Sequence, residues 1–247
     1  MFFENKKFKV VVIDYPIEIL NNSICSDLLD KTLKMKHIGY KATYGETALP
    51  MDKSDFFSTH IIFCEEKDDQ LIPITAYKST PYDRCLFYNF EFPGLTLMKS
   101  DGHPSCVDRI EKILKNIESP STISYDSCWA QNLDYRFNSD PKTKIMLREI
   151  IMMFIVKHHQ EFQIPHMMTC GVVKVKTDQF FLNAGLEKLD KNAQFKQQNL
   201  NNEDVVIFYN NSFSPKALEM AEKYANFWDE KLLIEATSPH RSIRKAA

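Results

Sequence analysis

Glycine is scarce in this chain: 6 of 247 residues. None of the six falls into a GlyXxxGlyXxxXxxGly fingerprint or a Walker loop, and no GlyXxxSerXxxGly occurs. The usual glycine-cradled nucleotide sites and the hydrolase nucleophile elbow are therefore excluded. Cysteines number six, at 25, 64, 85, 106, 128 and 170, without a CysXxxXxxCys pair. Their wide spacing inside apolar runs predicts buried free thiols in a reducing compartment, hence a cytoplasmic protein. The first ten residues lack the apolar core of an export signal. Neither charge sign prevails, since the net charge is -2 with 26% charged residues. That gives no footprint for nucleic acid, and only residues 241–245 are locally basic. Long apolar runs are missing too. The longest helical one, 145–156, is broken by Arg148 and Glu149 and falls short of the ~20 residues of a membrane span. Metal-ligand spacing is also absent. His158 and His159 point about 100° apart on a helix, and no cysteine or carboxylate completes a zinc pattern with them or with His166, so no metal is expected.

What is present is an alternation of strand and helix signals. Residues 8–14 form a short apolar strand, followed by a helix from Ser26 to about Ile38 with Gly39 as its stop. A long polar connection, 40–55, leads to a hairpin of strands 59–65 and 71–78. Pro93 and Gly94 mark a turn, and Pro104 opens a helix to Ile117. The organising stretch is 121–185: a strand (121–131), a loop (132–140), a long buried helix (142–159), a strand (166–175), and a short helix from Thr177 to Gly185. Asp140 followed by Pro141 is a strong helix start. Residues 190–204 are a polar excursion, 204–209 a last strand, and Ser214-Pro215 starts a helix with Leu218, Ala221, Ala225, Trp228 and Leu232 on one stripe. The class is α/β or α+β around one mixed sheet, with helices on both faces and an extra C-terminal helix. Strands 122–131 and 166–175 are expected as parallel neighbours. One domain over 1–210 is expected, with 211–247 as a helix and basic tail packed on it.

The order strand, loop, long helix, strand, short helix resembles the GNAT superfamily of N-acyltransferases. Arg136, Phe137, Asn138, Ser139, Asp140 and Pro141 stand in the frame of its phosphate-cradling loop, with Ser and Pro in place of two glycines. Phe180-Phe181-Leu182-Asn183-Ala184-Gly185 is similar to the aromatic helix ending in glycine, with Phe181 where many members carry a proton-donating Tyr. Asp52 and Asp55 before Thr59-His60-Ile61-Ile62-Phe63 resemble a segment of acyl-homoserine-lactone synthases and N-acyl amino acid synthases. That branch has an acidic residue where Pro50 stands, an Arg near Tyr77 and Lys78, and a GluXxxSerArg where the chain has Asp126, Ser127, Cys128 and Trp129.

The resemblance implies direct transfer of an acyl group to a primary amine of a small molecule or amino acid. The donor would be an acyl-CoA or the acyl-phosphopantetheine of an acyl-carrier protein. An amine nucleophile must lose a proton, which makes Asp126 the candidate base, directly or through water; an outward-facing or turn-capping Asp is the plain alternative. Backbone N–H groups of Trp129, Ala130 and Gln131 would meet the thioester oxygen if the strand bulges, whereas a core Trp is the plain reading. Arg136, Asn138, Ser139, Lys142 and Lys144 are the candidate phosphate ligands at the positive end of the long helix. Asp140 opposes them, or simply caps that helix. Asp52, Asp55 and Lys78 are the candidate acceptor ligands, or ordinary loop and strand-end residues. A fold that has lost catalysis and serves as a binding module is the competing reading. The stripe on 215–235 leaves packing on the core or a homodimer open.

Overall fold

The computed structural model describes residues 6–48 and 51–236. Pro50 and the basic stretch 241–245 lie outside the described residues. The chain opens with β1 (Lys7–Asp14), whose run Val10-Val11-Val12-Ile13 is covered on both faces. α1 (Ser23–Tyr44) begins earlier and ends later than its sequence pattern suggests. Asn22 caps it by accepting from Ile24 and Cys25, and the helix continues through Gly39 to Gly45. α1 lies close on the sheet at Gly39, where a Cβ would stand 3.4 Å from the Gln131 carbonyl oxygen, an ordinary van der Waals contact. The helix thereby absorbs the first part of the expected connection 40–55.

β2 (Thr59–Lys67) and β3 (Gln70–Pro81) form the expected hairpin, turned by Asp68 and Asp69, both in the left-handed region. Three helices follow: α2 (Tyr82–Phe87), α3 (Pro93–Asp101) and α4 (Pro104–Asn116). Pro93 opens a helix here and not a turn, as its fixed φ suits the first helical position. β4 (Ile123–Gln131) leads into α5 (Leu133–Asn138), then α6 (Pro141–Glu161), β5 (His166–Val172) and α7 (Thr177–Asn183). α5 occupies the stretch expected as an open loop, capped by Asn132 accepting from Asp134 N–H. Gly185 ends α7 with φ +84°, the left-handed stop its sequence announces.

The polar excursion contains β6 (Gln194–Gln197), which pairs with β7 (Glu203–Asn210). The C-terminal stripe is divided: α8 (Pro215–Glu222), α9 (Ala225–Asp229), then β8 (Leu232–Glu235). Leu232, Leu233 and Ile234 leave the helix because β1 offers them a parallel edge. Ala217, Ala221 and Trp228 are buried in the same core as α6, so the stripe packs on its own domain.

The described strands form one eight-stranded mixed sheet in the order β6-β7-β5-β4-β3-β2-β1-β8. α6 belongs to the larger core with Val10, Val12, Ile61 and Phe63, while α1 packs with Val11, Ile13, Ile62 and Cys64. The alternation of these residues assigns the two helices to opposite faces. α6 is apolar nearly all round because the sheet, α8 and α9 enclose it. No helix among the described residues is long and apolar enough to cross a membrane.

Candidate active site

β4 and β5 run parallel and paired for four residues only, Ile123 with His166 through Asp126 with Thr169. Beyond that point they part. β4 continues along β3 to Gln131, while β5 continues along β7 to Val172. A bulge marks the divergence. Between the pairs Ala76–Ala130 and Lys78–Ser127, one β3 residue, Tyr77, faces two on β4, Cys128 and Trp129. Cys128 has φ +58°. The left-handed conformation at such a bulge is glycine's place, and a side chain there costs about 1–2 kcal/mol. The backbone groups on the open edge of 127–131 face the gap instead of a strand.

A cavity of about 520 Å³ fills the gap and reaches both faces of the sheet. Its middle is Tyr77, Cys128, Trp129, Ala130, Gln131, Thr169 and Cys170. Trp129 stacks at an angle on Phe180, 5.4 Å between ring centres, and Phe181 closes the wall beside it. Tyr40, Tyr44, Phe90, Leu97 and Val172 add apolar surface. At one rim stand three cations, Arg136, Lys144 and Arg148. Arg136 is tied to α1 by donating to Thr43 Oγ1 at 2.5 Å, and Lys144 donates to the Phe137 carbonyl at 3.2 Å. At another stand Asp52, Ser54 and Lys78.

That second group rests on a buried charge cluster. Lys36 and Lys78 each place Nζ 3.3 Å from Asp55 Oδ1, and Lys78 also donates to Ser54 Oγ at 2.9 Å and lies 3.4 Å from Asp52 Oδ1. Asp55 Oδ2 accepts from the Asp52 N–H while Asp52 accepts from Ser54 N–H, a reciprocal cap that fixes both carboxylates. Burial opposes ionisation of Asp55, but Lys36, Lys78 and His60 override it and hold its pKa well below the usual carboxylate range. His60, fully buried beside Lys36, is pushed down to about 3 and is neutral. Its Nε2 donates to the Asp55 carbonyl at 2.7 Å, leaving Nδ1 to face Lys36 Nζ at 3.4 Å. Burial would lower the Lys78 pKa, yet Coulombic interaction with Cys128, Asp55 and Asp52 raises it, so its ammonium is kept.

A second cluster lies on the α6 face. Asp126 is fully buried: Oδ1 accepts from Ser79 and Ser124, each at 2.7 Å, and Oδ2 meets His159 Nε2 at 2.7 Å. His159 Nδ1 donates to the Ile164 carbonyl at 2.6 Å. Burial works against the Asp126 charge, and His159 more than offsets it, so its pKa is lowered. His158, next along α6, is buried without a partner for either ring nitrogen and is depressed to about 3 by burial and by His159. Tyr77 connects this cluster to the cavity. Its hydroxyl lies beside Asp126 and Thr169, aligned with neither, and burial with the Asp126 charge holds its pKa far above the ordinary tyrosine value.

The structure thus brings Trp129, Ala130, Gln131, Arg136, Lys144, Asp52 and Lys78 to one cavity. Asp126 lies behind its wall, and Asp55 stands beneath Lys78. Asn138, Ser139 and Lys142 do not line the cavity. Asp140 accepts from Lys142 N–H at 3.0 Å and Thr143 N–H at 3.1 Å, filling the helix N-terminus an anion would use. Lys36, His60, His159, Arg148 and Cys128 are not among the candidates read from the sequence. A buried apolar helix carrying two histidines opposite a strand aspartate was the available signal for His159. For the others, only the fold shows what faces the gap. Among the described residues no group of three or more His, Cys, Asp or Glu could hold a metal.

No protein-family model matches the chain, and no curated protein shows significant sequence similarity to it. Solved structures do match. The CoA-dependent acyl-homoserine lactone synthase BjaI, in the structure with SAM and isopentyl-CoA, aligns with TM-score 0.59 at 10% identity, over 98% of this chain and 100% of that one. The chain has the fold of acyl-homoserine-lactone synthases. A second CoA-dependent synthase of that kind, MesI, aligns with TM-score 0.51 at 11% identity, over 88% and 95%. FeeM, an N-acyl amino acid synthase from uncultured soil microbes, aligns with TM-score 0.46 at 10% identity, over 83% and 90%. At these identities the likeness is one of fold, the GNAT-like mixed sheet expected from the strand and helix order.

Proposed function

We propose that this chain is an N-acyltransferase that moves an acyl group from a thioester to a primary amine of a small molecule or amino acid. The observation that carries the reading is the parting of β4 from β5 after Asp126 and Thr169, over a cavity that reaches both sheet faces. A pantetheine arm is a narrow chain with amide groups, suited to a gap whose two walls are strand edges with unpaired backbone donors and acceptors. The donor is an acyl-CoA or the acyl-phosphopantetheine of a carrier protein. Its phosphate is met by Arg136 and Lys144, joined by Arg148, through side chains alone, because Asp140 fills the helix N-terminus. The acceptor lies at the rim of Asp52 and Lys78, where one carboxylate and one ammonium suit an amine that also carries an acid. The thioester oxygen, gaining charge in the transition state, is met by backbone N–H groups near the bulge at Trp129 to Gln131.

Asp126 is the base in this reading only at second hand. Its oxygens are engaged by Ser79, Ser124 and His159, so its charge acts on the cavity through Tyr77 and Thr169. A reducing cytoplasm would suit the six cysteines, none of which forms a disulfide among the described residues. A second reading, a binding module without catalysis, is favoured by Phe181, which lacks a hydroxyl, and by the burial of Asp126.

Thermal shift and product analysis separate the two. Acetyl-CoA, decanoyl-CoA and decanoyl-acyl-carrier protein raise the melting temperature by mass action where a thioester binds, and an amino-acid panel then yields N-acyl product. A shift without product leaves the binding module. No shift with any donor removes the acyltransferase.

A further inference from the structure

Lys78 is an ammonium on the cavity wall with too little negative charge packed around it. It is 2% exposed, Lys36 lies behind it fully buried, and both reach the same atom, Asp55 Oδ1, at 3.3 Å each. His60 beside them is neutral. Two buried ammoniums therefore share one buried carboxylate. The remaining acid, Asp52, stands 3.4 Å from Lys78 Nζ with its side chain 52% exposed to solvent. Charge-assisted N–H···O bonds run to roughly 2.7–2.9 Å. This fold makes such a bond elsewhere, since the buried Arg84 meets Asp14 Oδ1 at 2.7 Å. Buried charges are ordinarily paired, and by that standard Lys78 is short of an anion.

The hydroxyls of the same wall cannot act as donors in its place. Ser58 Oγ donates to the Ser54 carbonyl at 2.6 Å, so it accepts from Thr80 Oγ1 at 2.8 Å, and the Thr80 proton is spent. Ser54 Oγ accepts from Lys78 at 2.9 Å and gives its own proton to Asp52 Oδ1. An anion entering this corner of the cavity is met by Lys78.

We infer that Lys78 is the specificity-determining residue for the acceptor, pairing with a free carboxylate, so that amino acids are acylated as free acids while their esters and amides are rejected. The inference rests on the acyltransfer reading and narrows its acceptor. Lys36 and Asp55 are positioning residues that hold the ammonium at the wall. In the transfer, the amine nitrogen bonds to the donor carbonyl carbon and the bond from that carbon to the pantetheine sulfur breaks. The proton shed by nitrogen is balanced by the one the thiol gains, and the acid group leaves unchanged. An ester in the same place leaves Lys78 unpaired, which is the arrangement by which polar sites reject an analogue.

The test compares kcat/KM for a panel of amino acids, each beside its methyl ester and its amide, using whichever of decanoyl-CoA and decanoyl-acyl-carrier protein gives product. Ester amines are less basic and more largely neutral, so intrinsic reactivity favours them and a preference for the acid comes from the protein. The expected result is at least a hundredfold preference for the free acid. Lys78→Met leaves Lys36 with Asp55; it should raise KM for the acid at least tenfold and bring the acid-to-ester ratio close to one. Esters and amides acylated as well as free acids by the natural protein would overturn the inference while acyl transfer stands, as would a folded Lys78→Met that keeps the preference. Should Lys78→Met not fold, the ratio measured on the natural protein decides alone. If no amine of any kind is acylated with either donor, acyl transfer fails and the inference falls with it.

Discussion

β4 is two strands in one. Its first half, Ile123 to Asp126, is paired with β5 throughout and with β3 from Ser124, and ends in a carboxylate whose oxygens are engaged by Ser79, Ser124 and His159. Its second half, Ser127 to Gln131, is paired on one side, bulged, and half-open to a cavity. The same strand therefore carries a rigid foundation and a free edge. The difference teaches that burial, and not residue type, sorts these side chains into support and chemistry. Asp126, the more reactive residue on paper, is a support; Cys128, Trp129 and Gln131 face the cavity.

The largest break in that comparison comes from removing the foundation. Asp126→Ala leaves His159 Nε2, Ser79 and Ser124 without the buried carboxylate they meet, so stability to urea should fall by about 3–5 kcal/mol. A milder loss would mean that water reaches His159 and the first half is not sealed.

Acid attacks both buried clusters gradually. His158 and His60 are neutral in the fold with pKa values of about 3, against ~6.5 when unfolded. The unfolded chain binds more protons between those limits, so their contribution is complete above about pH 6.5 and is lost as pH falls toward 3. In mid-window each should impose a slope of about 1.4 kcal/mol per pH unit. Asp126 and Asp55, both lowered, add a further loss once pH drops through the ordinary carboxylate range near ~3.9. Urea melts from pH 7 to 4 check this, and His60→Gln should flatten the slope by about half.

The open half should respond in the opposite manner. Trp129 is only partly buried, so Trp129→Ala should leave stability within about 1 kcal/mol and weaken decanoyl-CoA binding roughly tenfold. Arg136→Ala and Lys144→Ala should have the smallest effects, about 0.2–1 kcal/mol each in CoA affinity, vanishing in high salt. Calorimetric titration at low and high ionic strength reads both.

Much of the fold was visible in the residues themselves. Asp140-Pro141 announced α6, Asp68-Asp69 turned a hairpin whose strands alternate correctly, and Gly185 stopped α7 where expected. The misplacements have physical causes. Gly39 looked like a helix stop, but its backbone stays helical against the sheet and α1 runs on to Tyr44. Pro93-Gly94 looked like a turn because the same pair serves a helix start. Leu232 continued the helical stripe, yet a sheet edge claimed it together with Leu233 and Ile234. For the site, Trp129, Arg136, Asp52 and Lys78 could be nominated from sequence order. The pairing of Lys36 with Asp55 or His159 with Asp126 could not, since each joins residues brought together by the sheet and absent from any local pattern.

The central claim is that the second half of β4 presents an edge to a thioester while the first half does not. Amide hydrogen exchange along β4, with and without decanoyl-CoA, measures it residue by residue. The account predicts that 123–126 are strongly protected throughout and that amides within 127–131 gain protection when the thioester is added. Equal protection of both halves in the free protein, unchanged by decanoyl-CoA or decanoyl-acyl-carrier protein, would contradict it.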